Sequence, residues 1–268
     1  MATKNVPSTK VKSTAVATTD YAERMAAMAQ NAVKQEESVS TGSFISFAGQ
    51  QLNYQGTPLP NGLSVVILDS ILENCFYPGR YDPDNKAPPV CYAFAREEGD
   101  LRPHEKSSEP QADSCAECEH NKFGSSDTGK GKACKNTRRL AVIPADSVDN
   151  GTVESAEIAF MKLPVTSVKG WAAYVRALGA VEKVSPIGVT THIDTVPDAK
   201  TQFKVVFARE ERVPNEALGP LFDRYDEVKD SIAFPYPEAS EEPAPKRGAP
   251  AKKGAPAKKG APAKSRKY

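Results

Sequence analysis

Residues 91–134 read CYAFAREEGDLRPHEKSSEPQADSCAECEHNKFGSSDTGKGKAC, and this stretch organises the chain. Its cysteines, Cys91, Cys115, Cys118 and Cys134, are spaced C-x23-C-x2-C-x15-C. Cys115-Ala116-Glu117-Cys118 is a knuckle: two intervening residues let both sulfurs point at one ion. Four thiolates around a tetrahedral site suit Zn²⁺, which favours sulfur and imposes no geometry of its own. The long first gap puts Cys91 on a neighbouring strand, with the loop inserted after it. His104 and His120 are spare ligand candidates. With all ligands supplied by protein, the expected zinc is structural, since a catalytic zinc keeps one position open. A redox C-x-x-C would need a βαβ setting, and Pro, Gly and Ser crowd this stretch instead.

The chain has 268 residues, with 39% hydrophobic and 26% charged. That is enough for a core in one large domain or two small ones. No apolar run approaches a membrane span, and residues 1–20 lack the apolar block of a signal peptide. A cytoplasmic setting, with reduced thiols, is the expectation, and it favours metal ligation over disulfides. The fifth cysteine, Cys75, reads as a buried apolar thiol. The net charge of +1 hides an asymmetry: residues 246–268 carry +9 with no acid, leaving −8 on residues 1–245.

Outward from the cysteines, Val90–Arg96 and Arg138–Pro144 read as the strands that leave and re-enter the body. Upstream, Ser43–Tyr54 and Ser64–Leu68 read as strands, and Glu73–Tyr81 as an aromatic turn region. Downstream, Val153–Leu163 reads as a strand. Ser167–Val181 follows as a helix with Trp171, Tyr174, Val175 and Leu178 on one face and Gly179 as its stop. Gly188–Val196 and Gln202–Arg209 form a hairpin-like pair. A second helix runs to about Asp230, its start blurred by Gly219-Pro220. The expected organisation is a disordered segment 1–42 with a short helix at Tyr21–Glu37, a domain over 43–236, and a disordered Ala/Pro/Lys tail over 237–268 with a GAPAKK repeat. The predicted class is mainly β (α+β): a small barrel with peripheral helices and an inserted zinc module.

For catalysis the chain offers only His104, His120 and His192, and no G-x-S-x-G, Walker A, H-E-x-x-H or G-x-G-x-x-G motif. Asp223 and Asp226 read as a solvated helix face. Nucleic-acid contact has more behind it. Lys122, Lys130, Lys132, Lys135, Arg138 and Arg139 give residues 119–140 a net +4. Tyr77, Tyr81 and Phe123 are candidates to stack bases. Basic groups along a backbone with aromatic faces between them is the pattern of single-strand binding.

Asn74–Tyr81 (NCFYPGRY), Pro89–Phe94 (PVCYAF), Cys115–Ser125 (CAECEHNKFGS), Gly129–Lys135 (GKGKACK) with Arg138-Arg139, and Leu163–Trp171 (LPVTSVKGW) resemble bacteriophage single-stranded DNA-binding proteins over roughly residues 43–236. The resemblance implies an OB-fold carrying a zinc module and a role in phage DNA replication, recombination or repair, in the host cytoplasm. Single-stranded DNA and replication or recombination proteins are the partners it implies. The family often ends in an acidic tail, whereas this sequence ends basic, so the tail is expected to touch nucleic acid. Rival readings are a zinc-ribbon accessory factor binding mainly proteins, a structural nucleic-acid-condensing protein, and an enzyme with scattered acids.

Overall fold

In the computed structural model, which describes Met25, residues 43–79 and residues 87–237, the longest strand is β4 (Leu63–Phe76, 14 residues). Its first half alternates as a two-sided core strand must. Val65 and Ile67 face one side, Val66 and Leu68 the other, and all four are buried. The expected break after Leu68 is absent. A bulge between Ile67 and Asp69 resets the alternation, and Glu73-Asn-Cys-Phe76 continues the strand instead of forming a turn. A buried glutamate in an apolar run hides the strand from a reading by polarity, and Glu73 is tolerated there because cations oppose it.

Around β4 lie β1 (Ser43–Ala48), β2 (Gln51–Tyr54), β3 (Thr57–Leu59), β5 (Cys91–Ala95), β6 (Lys135–Pro144), β7 (Ala159–Leu163), β8 (Val189–Asp198) and β9 (Gln202–Arg212). The order is β3-β2-β1-β7-β6-β4-β8-β9, with β5 also on β4. The β1–β7 pair is parallel and the other pairs antiparallel. The sheet curls into a half-barrel, mainly β in a mixed α+β fold. Its β1–β2 and β2–β3 hairpins turn on Gly49-Gln50 and Gln55-Gly56, all with positive φ, the two-residue turn whose twist matches the strands.

Two helices cover opposite faces. Helix α2 (Val168–Ala177) lays Trp171 on Ile45, Ile67, Val142 and Ile193. It gives way at Leu178 to a wider-wound turn that ends at Lys183 with positive φ, just past the expected stop at Gly179. Helix α3 (Asn215–Val228) packs Ala217, Leu221 and Val228 over Val66, Leu68 and Ile143. It starts at Asn215 and carries Pro220 internally. The short helix α1 (Asp146–Asp149) follows β6. Val153–Ser155 is a single 3-10 turn, so the strand expected from Val153 begins only at Ala159. No described helix is long and apolar enough to cross a membrane. Of the expected helix at Tyr21–Glu37 only Met25 is described, and it is helical; the basic tail and Tyr81 lie outside the described residues.

Candidate metal centre and nucleic-acid interface

The far end of β4 carries different chemistry on each face. Asn74 and Phe76 point to one side, where β5 aligns Cys91 with Phe76 and Ala93 with Asn74. A loop from β5 to β6 folds over this side. Leu101 and Cys115 pack on Ala93, and the Cys115 N–H donates to the Leu101 carbonyl. Cys91, Cys115, Cys118 and Cys134 are each 8% exposed, and all four line one cavity of about 10 Å³, floored by Asn74, Phe76 and Ala93. That volume suits a single small ion or water. Residues 24 apart in sequence at the first gap thus line the same cavity.

The thiols sense one another. Burial pushes Cys134 up to about 12, with the charges of Cys115, Cys75, Cys118 and Cys91 adding to it. Burial also raises Cys91 and Cys115. Opposing this, the Gln111 N–H stabilises the Cys91 thiolate, and the Asn74 amide does so for Cys115. Asn74 Nδ2 has no acceptor at full hydrogen-bond geometry in the protein, so it faces the cavity with donor capacity left. Among the described residues no three Cys, His, Asp or Glu side chains are placed so that they could hold a metal ion. What the fold does gather is four buried cysteines lining one small cavity, the residue type that a thiophilic dication would require.

The spare candidates are engaged elsewhere. His104 stacks on Tyr92, and its Nδ1 accepts from the Lys106 N–H at 3.1 Å. His120 stacks on Phe76 with ring centroids 4.1 Å apart, outside the cavity lining. Cys75 is on the opposite face of β4.

That opposite face holds a cluster the sequence reading missed. Alternation and register put Glu73, Cys75, Arg139 and Lys162 side by side, because Ile71 pairs with Arg139 and Arg139 with Lys162. Arg139 donates from Nε to Glu73 Oε2 at 3.0 Å and from Nη1 to the carbonyls of Ile232 and Phe234 at 3.2 and 2.8 Å. Its guanidinium lies between the rings of Phe94 and Phe234, 4.3 and 4.1 Å from their centroids. Lys162 Nζ donates to Tyr236 Oη at 2.7 Å and Cys75 Sγ at 3.1 Å, and Tyr236 Oη donates to Glu73. Burial alone would raise the Glu73 carboxyl, yet Lys162 and Arg139 hold it below its ordinary value. Burial pushes the Cys75 thiol up to about 11; it is buried as expected, but among the polar groups Lys162, Glu73 and Tyr236 and not in an apolar setting. The signal for this cluster was the parity of Lys162 in AFMKL: it faces away from Met161, as Arg139 faces away from Leu140.

The basic residues separate accordingly. Lys122, Lys130 and Lys135 are exposed, and Lys132 is half-buried with Nζ on Asn121 Oδ1 at 3.1 Å. Asn121 in turn donates to the Cys115 carbonyl at 2.7 Å, tying Lys132 to the knuckle. The Ser125 O–H, within reach of the carbonyls of both Lys122 (2.7 Å) and His120 (2.9 Å), shares its one hydrogen between them, and Oγ accepts from the Ala133 N–H, closing the loop on itself. Phe123 projects from that loop at 82% exposure. Arg138 is half-buried on the cysteine face. Tyr77 is 38% exposed beside Lys162. Arg139 leaves the predicted contact set: at 2% exposure, with its guanidinium fully engaged, it cannot reach a phosphate without unfolding the β4 end.

Ser64, His192 and Glu210 also cluster, but Ser64 Oγ and Glu210 Oε1 both approach His192 at Nδ1, at 3.0 and 3.7 Å. A relay needs base and orienting acid on different ring nitrogens. No protein-family model, characterised protein or solved structure matches the chain.

Proposed function

We propose that this chain binds single-stranded DNA without sequence preference, in DNA replication, recombination or repair, through an OB-like barrel carrying an inserted zinc module. The curled half-barrel is compatible with that architecture, and the position of the cysteine loop between β5 and β6 is that of an insertion. Cys91, Cys115, Cys118 and Cys134 would hold a structural Zn²⁺, which cross-links β5, the knuckle and the entry to β6. A loop held rigid in this way loses little entropy on binding.

The observation that carries the reading is Phe123. A phenylalanine at 82% exposure, beside Lys122 and on the same closed loop as Lys130, is left unburied by the fold. Aromatic faces take any base, and the lysines track the backbone. Tyr77 at the end of β4 would extend the path, and the +9 tail would add salt-sensitive attraction.

Neutralising Lys122, Lys130, Lys132 and Lys135 together, with zinc content and fold checked, tests the surface. Strong loss of affinity for single strands is expected, and near-normal affinity would remove this loop from the interface.

A further inference from the structure

Tyr77 is the first residue beyond β4, and Pro78 after it restricts its backbone to an extended conformation before Gly79 turns the chain with positive φ. That sets the direction of the chain but not of the ring, since exposed side chains exchange freely among rotamers. Here the ring has a partner. Lys162 Nζ lies 3.5 Å from Tyr77 Oη and 5.7 Å from the ring centroid, inside cation–π reach. At 38% exposure, much of Tyr77 still faces solvent.

Lys162 is itself fixed by its neighbours. Its three N–H groups have three nearer partners: Tyr236 Oη at 2.7 Å, Cys75 Sγ at 3.1 Å and Glu73 Oε1 at 3.2 Å. Burial works against the ammonium, but Cys75, Glu73 and Tyr77 outweigh it and its pKa is raised. The Lys162 side chain is 21% exposed, and the buried Glu73 carboxylate offsets its charge. A cation so engaged has no N–H left for a phosphate, unlike the exposed Lys122, Lys130 and Lys135. It acts instead on the ring beside it.

Stacking needs a flat ring in a fixed place, and a side chain ordered before binding saves the cost of ordering it then. We propose that Lys162 is a positioning residue for single-strand binding: it holds the Tyr77 ring where a base can stack on it, and meets no phosphate itself. This role rests on the DNA-binding reading above, and it extends the site to a lysine outside the basic stretch 119–140.

Binding of the full chain to a single-stranded oligonucleotide, titrated with salt, tests it in Lys162→Met, Tyr77→Ala and the double variant. Tyr77→Ala should lose at least about fivefold in affinity, the lower end for one stacked base. Lys162→Met should lose about two- to tenfold, the cost of ordering one side chain, with the slope of log affinity against log salt unchanged. The double variant should bind no more weakly than Tyr77→Ala. Wild-type affinity in either single variant, losses that multiply in the double variant, or a slope reduced by about one in Lys162→Met would each overturn the role. If Lys162→Met disturbs the sheet, NMR relaxation of the ¹³C-labelled Tyr77 ring in the wild-type chain decides. A ring as ordered without DNA as with it is expected, and a ring that orders only on binding overturns the positioning. A wild-type chain that does not prefer single strands would remove the DNA-binding reading and this role with it, whereas failure at Tyr77 alone leaves Phe123 and its loop in place.

Discussion

Arg139 Nε lies 3.0 Å from Glu73 Oε2, and both side chains are shut off from solvent, at 2% and 0% exposure. The pair joins β6 to β4 and, through Arg139 Nη1, holds the Ile232–Tyr236 segment against the sheet. An ion pair of this kind is costly to break one-sidedly, because the remaining charge stays buried.

Arg139→Ala is therefore expected to destabilise the fold by about 3–5 kcal/mol. Denaturant unfolding measures this. A double-mutant cycle with Glu73→Gln should show the two losses to be strongly non-additive, since each single change strands the other partner.

The same pair sets an acid limit. The folded Glu73 carboxyl titrates below its ordinary 4.5, despite burial, because of Lys162 and Arg139. A group depressed on folding contributes stability above its unfolded value and loses it as pH falls through the folded one. Unfolding free energy should thus drop as pH falls below about 4.5, and Glu73→Gln should flatten that drop while lowering stability at neutral pH.

One Zn²⁺ per chain is expected, released by a thiol-modifying reagent and detected with a colorimetric chelator. Cys91→Ser, Cys115→Ser, Cys118→Ser and Cys134→Ser should each abolish tight binding. Cys75→Ser, His104→Ala and His120→Ala should retain the metal, since none of the three lines the cavity. Metal removal should loosen residues 91–134 before the rest of the sheet, visible as faster amide exchange there.

Phe123→Ala should weaken binding to single-stranded oligonucleotides by about 1–3 kcal/mol, the usual worth of one stacked base. Its exposure predicts no matching loss of stability. Lys135→Ala should instead reduce the slope of log affinity against log salt, as the loss of one phosphate contact does.

Local pattern made much of this legible. The Trp171 helix faces the core and the β8–β9 hairpin forms, because periodicity is a property of neighbours in sequence, and the four cysteines line one cavity although no three of them are placed to hold an ion. The Glu73 cluster was not legible. Its members come from residues 73, 139, 162 and 236, and only the pairing of β4 with β6 and β6 with β7 makes them adjacent. Arg138 and Arg139 show the same limit: as a dipeptide they read as one basic patch, but strand alternation sends them to opposite faces, one half-buried on the Leu72 side and one into a buried ion pair.

The most direct test of the DNA-binding account is a salt titration of the zinc-loaded chain on single- and double-stranded oligonucleotides, repeated after neutralising the cations of residues 246–268. The account predicts a preference for single strands that survives loss of the tail charges, with a shallower salt dependence. Binding that never distinguishes one strand from two, and disappears with the tail charges, would contradict it.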